Sequence, residues 1–376
     1  MIEMRKLGIS VFPQHVSLEA SLEYIETAAK YGFSRIFTCL ISANDEAEFA
    51  KLETICKRAK ELGFDVIADV DPTVFESLNI TYKELDRFKE LGLAGLRLDL
   101  GFSGSEEAAM SFDDTDLKIE LNISNGTRYV ENILSYQANV ENIIGCHNFY
   151  PRKYTGLSRE HFLRTSKQFK DLNLRTAAFV SSNSGEFGPW FVVDGGLPTM
   201  EEHRGMDITV QAKDLWNTGL IDDVIVGNMF ASEDELRALS ELNRNELQLA
   251  VEFLDGATDV EKEIVLTQKH FNRGDASAYV LRSTMTRVNF KQYDFQPHDT
   301  ETIAKGDVTI DNNGYERYKG EMQVALQEME NSGNTNIVAR IVPEERYLLD
   351  TILPWQHFRL VENILLNLIL INHSFV

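Results

Sequence analysis

Apolar and polar positions in the first two thirds of the chain repeat one pattern. A short β-branched or apolar run is succeeded by a stretch with helical spacing, which often ends on glycine just before the next run. The first run is LGISVFP (7–13); after it Leu18, Leu22, Ile25 and Ala29 fall at helical spacing and Gly32 supplies the stop. SRIFTCLIS leads to DEAEFAKLETICKRAKELGF, which starts on an Asn44/Asp45 cap and ends at Gly63. DVIADVDP is followed by TYKELDRFKELG, AGLRLDLGFS by EEAAMSF, and LKIELNISN by GTRYVENILSYQ. NIIGCHNFYPR leads to SREHFLRTSKQFKDLN, RTAAFVSSN opens a long loop before ITVQAKDLWNTG, and DDVIVGNMF precedes EDELRALSELN. Strand-then-helix units in this number and order predict a (β/α)8 TIM barrel of the α/β class, with strands starting near residues 7, 34, 65, 94, 117, 142, 175 and 223. A doubly wound sheet would usually open on a glycine-rich turn, and the first turn here, SVFPQH, has no glycine.

Beyond Asn243 the period changes. ELQLAVEFL, EKEIVLTQ, SAYVLRSTMTR, GDVTIDN, GEMQVALQEM and TNIVARIV are mostly short runs of β character, parted by turn signals such as NRGD, DNNG and NSGNTN. The pattern therefore predicts a barrel domain over 1–244, a small β-rich domain over 245–360 and an atypical apolar tail over 361–376. The tail, VENILLNLILINHSFV, is interrupted by Asn363, Asn367 and Asn372. It falls short of the roughly 20 apolar residues that a membrane span needs, so a packed terminal helix is expected.

Composition narrows the function classes. A formal charge of −22 leaves no basic stripe for nucleic acid and disfavours an anionic membrane surface. An anionic substrate would then need a local cluster of Arg or Lys to overcome the overall field. Cys39, Cys56 and Cys146 are widely spaced and odd in number, which gives neither a disulfide framework nor a zinc site. With no signal-peptide pattern in MIEMRKLGISVFP, the cytoplasm is the expected compartment.

In a TIM barrel the site lies at the C-terminal ends of the strands. Those ends carry Asp69 and Asp71, Asp99, Asn122 and Asn125, the run His147-Asn148-Phe149-Tyr150-Pro151-Arg152, and Asn228. Asp and Asn gathered with an Arg describe a sugar site, where carboxylates and amides bond hydroxyls and a cation holds an anion. Asp71 and Asp99, from adjacent strands, are the expected catalytic pair for glycoside hydrolysis, with Glu201 in the following loop as the reserve acid. The competing reading of either Asp is a helix cap or a partner for Arg97 or Arg152. No HxH or HExxH spacing points to a metal, and no strand ends in the lysine a Schiff base needs. The loop over 183–206 is long enough to be functional, and its Trp190 is suited to stacking on a sugar face or to anchoring a lid.

SVFP in the first strand, NFYPRKYTGLS after the sixth, GLPTMEEHR after the seventh and VGN in the eighth resemble the 6-phospho-N-acetylmuramidase family, and the resemblance covers nearly the whole chain. It implies a cyclophilin-like C-terminal domain and release of N-acetylmuramic acid 6-phosphate from the non-reducing end of a phosphorylated peptidoglycan disaccharide, without a cofactor. It also implies that Asn148, Tyr150, Arg152, Glu201, His203 and Arg204 surround the substrate, with Arg282 and Arg287 of LRSTMTR as a second anion-binding candidate. Arg152 and Arg204 are the expected phosphate ligands. Two features depart from the family: VVDGG sets Asp194 before two glycines, and the apolar tail extends past HFRL.

Two other functions fit parts of the pattern. A sugar-phosphate-binding protein without turnover would use the same contacts. A pyridoxal-phosphate racemase would also join a barrel to a β domain, but would need a lysine where Phe12-Pro13-Gln14 stand. The expected partner is a small phosphorylated sugar rather than nucleic acid or membrane, with self-association left open.

Overall fold

The computed structural model describes residues 5–41, 46–190 and 195–363. The chain forms two compact units that divide between Leu242 and Asn243.

The first unit is a closed barrel of parallel strands: β1 (Leu7–Ser10), β2 (Arg35–Cys39), β3 (Asp65–Val70), β4 (Gly95–Leu98), β5 (Lys118–Asn122), β6 (Ile143–Cys146), β7 (Arg175–Val180) and β8 (Asp223–Val226). Each start lies within one residue of the position the sequence pattern predicts, and β1 pairs with both β2 and β8 to close the ring. The helices between them are α1 (Leu18–Lys30), α2 (Glu46–Glu61), α3 (Pro72–Ser77), α4 (Asp86–Glu90), α5 (Ser105–Met110), α6 (Tyr129–Ser135), α7 (Arg159–Lys170), α8 (Ile208–Asn217) and α9 (Glu233–Glu241). The stretch after β3 differs from the single predicted helix: Pro72 at the first helical position starts α3 directly after the strand, and only part of TYKELDRFKELG is helical. The Asn44/Asp45 cap and the tail from residue 364 lie outside the described residues.

Apolar residues of the strands and of the inner helix faces form one core cluster around the ring. Inside the ring, charge replaces some of the usual branched aliphatic filling. Arg35 of β2 bonds Glu120 of β5, which stands across the ring, so this ion pair runs through the interior. Its other donor reaches Asp223 of β8 at 2.8 Å, and Asp223 also holds Arg175 at 2.5 Å. A Cβ on Gly8 would stand 3.1 Å from the Arg35 carbonyl and 3.2 Å from the Arg35 Cβ, so glycine keeps that crossing open. Desolvating so many charges is costly unless each is paired, which the shared partners achieve.

The second unit is a mixed sheet made of β9 (Leu247–Phe253), β10 (His270–Phe271), β11 (Val280–Ser283), β12 (Asp307–Asp311), β13 (Met322–Ala325), β14 (Thr335–Ile341) and β15 (His357–Glu362). Its order is β10-β15-β9-β14-β12-β13-β11, with β15 parallel to β9 and the other pairs antiparallel. The end strands nearly meet. His270 Nδ1 lies 2.9 Å from Ser283 Oγ, and the Arg273 amide donates to the Arg282 carbonyl at 3.1 Å. One expected β run is helical: α10 (Asp259–Thr267) takes most of EKEIVLTQ, because Thr258 and Glu261 form a reciprocal capping box. Among the described residues no helix is long and apolar enough to cross a membrane.

Candidate active site

The C-terminal mouth of the barrel holds a cavity of about 260 Å³. Its floor is aromatic: Phe37 of β2, Phe179 of β7 and Phe149 after β6 meet edge-to-face with centroids 5.1 to 6.0 Å apart. Pro189 and a half-exposed Trp190 form part of its rim.

One guanidinium organises the polar wall. Arg97 of β4 is buried, and its Nη1 contacts Asp69 Oδ1 at 2.6 Å and Asp99 Oδ1 at 3.5 Å. Its Nη2 donates to Asn148 Oδ1. The β3–β4 register sets Asp69 directly opposite Arg97, and period-two alternation carries Asp99 to the same face just beyond the strand. Burial raises the Asp69 carboxyl to about 6 against the opposing pull of Arg97, and the charges of Asp99 and Glu120 add to the rise. Asp99 is far more open, with 45% of its side chain exposed against 15% for Asp69. Two carboxyls on neighbouring strands, one inclined to keep its proton and one in contact with water, have the chemical make-up of an acid–base pair.

Asp71 stands elsewhere. The strand ends at Val70, and the Asp71 carboxylate caps α3, accepting from the Thr73 amide at 2.9 Å and the Val74 amide at 3.2 Å. Asp69, one alternation earlier, occupies the place beside Asp99 that the sequence pattern predicts for Asp71. The period-two signal was present in DVIADVDP, but Pro72 forces the turn that removes Asp71 from the face.

Glu201 is engaged in holding loops. It accepts from the Tyr154 and Gly156 amides at 2.8 Å each and from Arg204 Nε and Nη2 at 2.8 Å. These bonds, that of Arg204 above all, hold the carboxyl at about 2, so it carries no proton to donate. Arg204 itself donates to the carbonyls of Gly196, Tyr150 and Arg152, which ties the loop after β6 to the loop after β7. His203 is buried with Nε2 2.7 Å from Asp214, and Asp214 also pairs with Arg159. Asn228 spends both ends of its amide on Ser182 and Gly185. Asn122 turns its oxygen to the Ser124 amide at 2.9 Å.

The remaining candidates stay near the mouth. Asn148 reaches the cavity beside Arg97, and burial raises the Tyr150 phenol while Ser124 and Arg97 pull it down. Arg152 and Lys153 are exposed on the loop after β6, with no side-chain partner among the described residues. Lys153 thus adds a second cation beside Arg152. Arg282 belongs to the second unit, and Asp194 lies outside the described residues. Among the described residues no group of three His, Cys, Asp or Glu could hold a metal ion.

Residues 7–241 match the family description "6-phospho-N-acetylmuramidase, N-terminal", and residues 247–361 match "6-phospho-N-acetylmuramidase, C-terminal". A crystal structure of an uncharacterized B. cereus protein is 48% identical, with a TM-score of 0.88, over 96% of this chain and 100% of that one. A conserved Enterococcus faecalis protein of unknown function is 28% identical, with a TM-score of 0.70, over 98% of this chain and 99% of that one. No curated protein matches the chain.

Proposed function

We propose, from the premise that this chain belongs to the 6-phospho-N-acetylmuramidase family, that it is an exo-acting glycoside hydrolase. Its substrate is a phosphorylated disaccharide derived from peptidoglycan, from which it releases N-acetylmuramic acid 6-phosphate during cytoplasmic recycling of cell-wall sugar. The observation that carries this reading is the Asp69–Arg97–Asp99 constellation on the polar wall of the barrel mouth.

Asp69, with its raised pKa, gives its proton to the glycosidic oxygen as the bond to the anomeric carbon breaks. Asp99, open to solvent, either takes a proton from the water that adds to that carbon or attacks the carbon itself. Arg97 keeps the two carboxyls placed and stabilises whichever is ionised. Trp190 offers a flat face for the sugar, and Arg152 with Lys153 supplies the local positive charge that a phosphate needs in a chain of charge −22. Arg204 and Glu201 act one step back, by holding the loop that presents those cations.

Turnover of a chromogenic 6-phosphomuramide, compared with its unphosphorylated counterpart, tests the reading. Hydrolysis of the phosphorylated compound alone supports it. Tight binding without hydrolysis would leave a sugar-phosphate-binding protein, and equal cleavage of both would remove the phosphate specificity.

A further inference from the structure

The second unit has a cavity of its own, of about 340 Å³, beside β12 and β13. That volume falls within the range of about 300–1,000 Å³ typical of small-molecule sites. Arg282 on its polar side is held from behind by Glu321, which is fully buried. Arg282 donates to Glu321 Oε1 from Nε and Nη2 at 2.9 and 2.7 Å, and Arg287 Nη1 lies 2.9 Å from Oε2. Arg282 Nη1 has no partner among the described residues, so one fork of that guanidinium is left for a ligand. Gln323 stands opposite Arg282 across the β11–β13 ladder, and its Nε2 lies 3.4 Å from Asp311 Oδ2. Thr335 Oγ1 donates to Asp311 Oδ1 at 2.9 Å.

The rim is aromatic. Tyr315 and Tyr318 are 39% and 41% exposed, with rings nearly perpendicular at 6.5 Å. Arg287 sits over the Tyr318 ring at 5.1 Å, which fixes its orientation. Exposed, pre-oriented aromatic faces above planar amide, carboxyl and guanidinium groups suit a hydroxyl-bearing ring: its C–H face lies on the tyrosines and its hydroxyls reach the polar base. The charge balance argues against an anion. Both arginines share the single buried Glu321, and the exposed Glu330 on the lining supplies a second negative group, so the balance leaves no surplus positive charge for an anion. Burial and the neighbouring Glu321 raise the Asp311 carboxyl to about 7, against the pull of Thr335, Arg282 and Arg287, so near neutrality it is available both as donor and as acceptor.

We propose that this cavity is a second ligand site, confined to the C-terminal unit, that binds a neutral saccharide through Tyr315, Tyr318, Gln323, Asp311 and the free fork of Arg282. It does not rest on hydrolysis by the barrel, and neither outcome of the following test bears on turnover.

Full-length protein carrying 3-fluorotyrosine is titrated with the neutral disaccharides cellobiose and N,N′-diacetylchitobiose and, as the anionic probe, glucose 6-phosphate. At least one neutral disaccharide is expected to shift the Tyr315 and Tyr318 fluorine resonances saturably, with a dissociation constant in the millimolar range or tighter, and glucose 6-phosphate is expected to bind at least tenfold more weakly. Gln323→Ala should weaken the neutral sugar about tenfold, or roughly 1.4 kcal/mol, whereas Trp190→Ala in the barrel should leave these shifts unchanged. Saturation-transfer binding should be lost in Tyr315→Ala and retained in Tyr315→Phe, which keeps the ring. An unaltered melting temperature in Tyr315→Ala excludes unfolding as the cause. Absence of saturable shifts with both neutral disaccharides, preference for the phosphate ester, or loss of the shifts in Trp190→Ala would each overturn the proposal.

Discussion

Arg97 decides which carboxylates stand together. Asp69 and Asp99 share its guanidinium, while Asp71 is committed to the first turn of α3. If Asp69 is the acid, Asp69→Asn should lower kcat on a 6-phosphomuramide by about 10²–10⁴-fold, the usual worth of a positioned general acid, with binding of the unreacted substrate little changed. Because only the protonated form donates, and the Asp69 carboxyl titrates at about 6, kcat should fall as pH rises through that value. A pH–rate profile level from weakly acidic to weakly alkaline solution would rule Asp69 out. The same logic gives Asp71 a different signature: Asp71→Ala removes a cap worth about 1 kcal/mol, so thermal stability should drop while kcat stays near normal. Asp71 and Asp99 were legible as strand-end acids, and so were the cap and the Arg97 pairing as alternatives for each. What the pattern left open was whether the strand outlasts Asp71, because that depends on how Pro72 seats the next helix.

At the level of elements, the barrel strands could be read almost to the residue because apolar runs, helical stretches and stopping glycines recur in strict alternation. The second unit was less legible. EKEIVLTQ holds a short apolar run, Ile264-Val265-Leu266, that reads like a strand, and the pairing of Thr258 with Glu261 three residues on marks it as α10. The loops at the barrel mouth are bound by a device that no periodicity announces. Glu201 accepts four hydrogen bonds and Arg204 reaches three carbonyls, so the two residues join the loop after β6 to the loop after β7. Glu201→Gln should therefore lower the melting temperature by several degrees and raise KM more than it lowers kcat. The pH dependence has a definite sign. The Glu201 pKa is depressed to about 2 in the folded chain, so its contribution is complete above the unfolded value of about 4.3 and is lost as pH falls toward 2. The melting difference between wild type and Glu201→Gln should accordingly shrink over that interval, as calorimetry would show. A difference independent of pH would mean that the carboxylate charge is not what holds the loops.

For the whole molecule, the controlling quantity is the charge of −22, which repels a phosphorylated substrate before any local contact forms. Arg152 and Lys153 oppose that field only at close range. The two effects respond differently to salt. The Debye length contracts from about 30 Å at 0.01 M to about 8 Å at 0.15 M, so the long-range repulsion is screened while contacts of a few ångströms are weakened much less. Over that range kcat/KM for the phosphorylated glycoside should rise several-fold, and for an uncharged glycoside it should stay level. Replacing Arg152 and Lys153 together with Ala should depress kcat/KM for the phosphorylated substrate about tenfold or more at every salt concentration, chiefly through KM, since hydrogen bonds between charged groups contribute about 1.5–3 kcal/mol each. The double variant should nonetheless keep the upward slope with salt, because the repelling charge is spread over the whole molecule and survives the substitution. A wild-type kcat/KM that falls with salt would show instead that the cations on the loop after β6 outweigh the net charge at the distances where the substrate is captured.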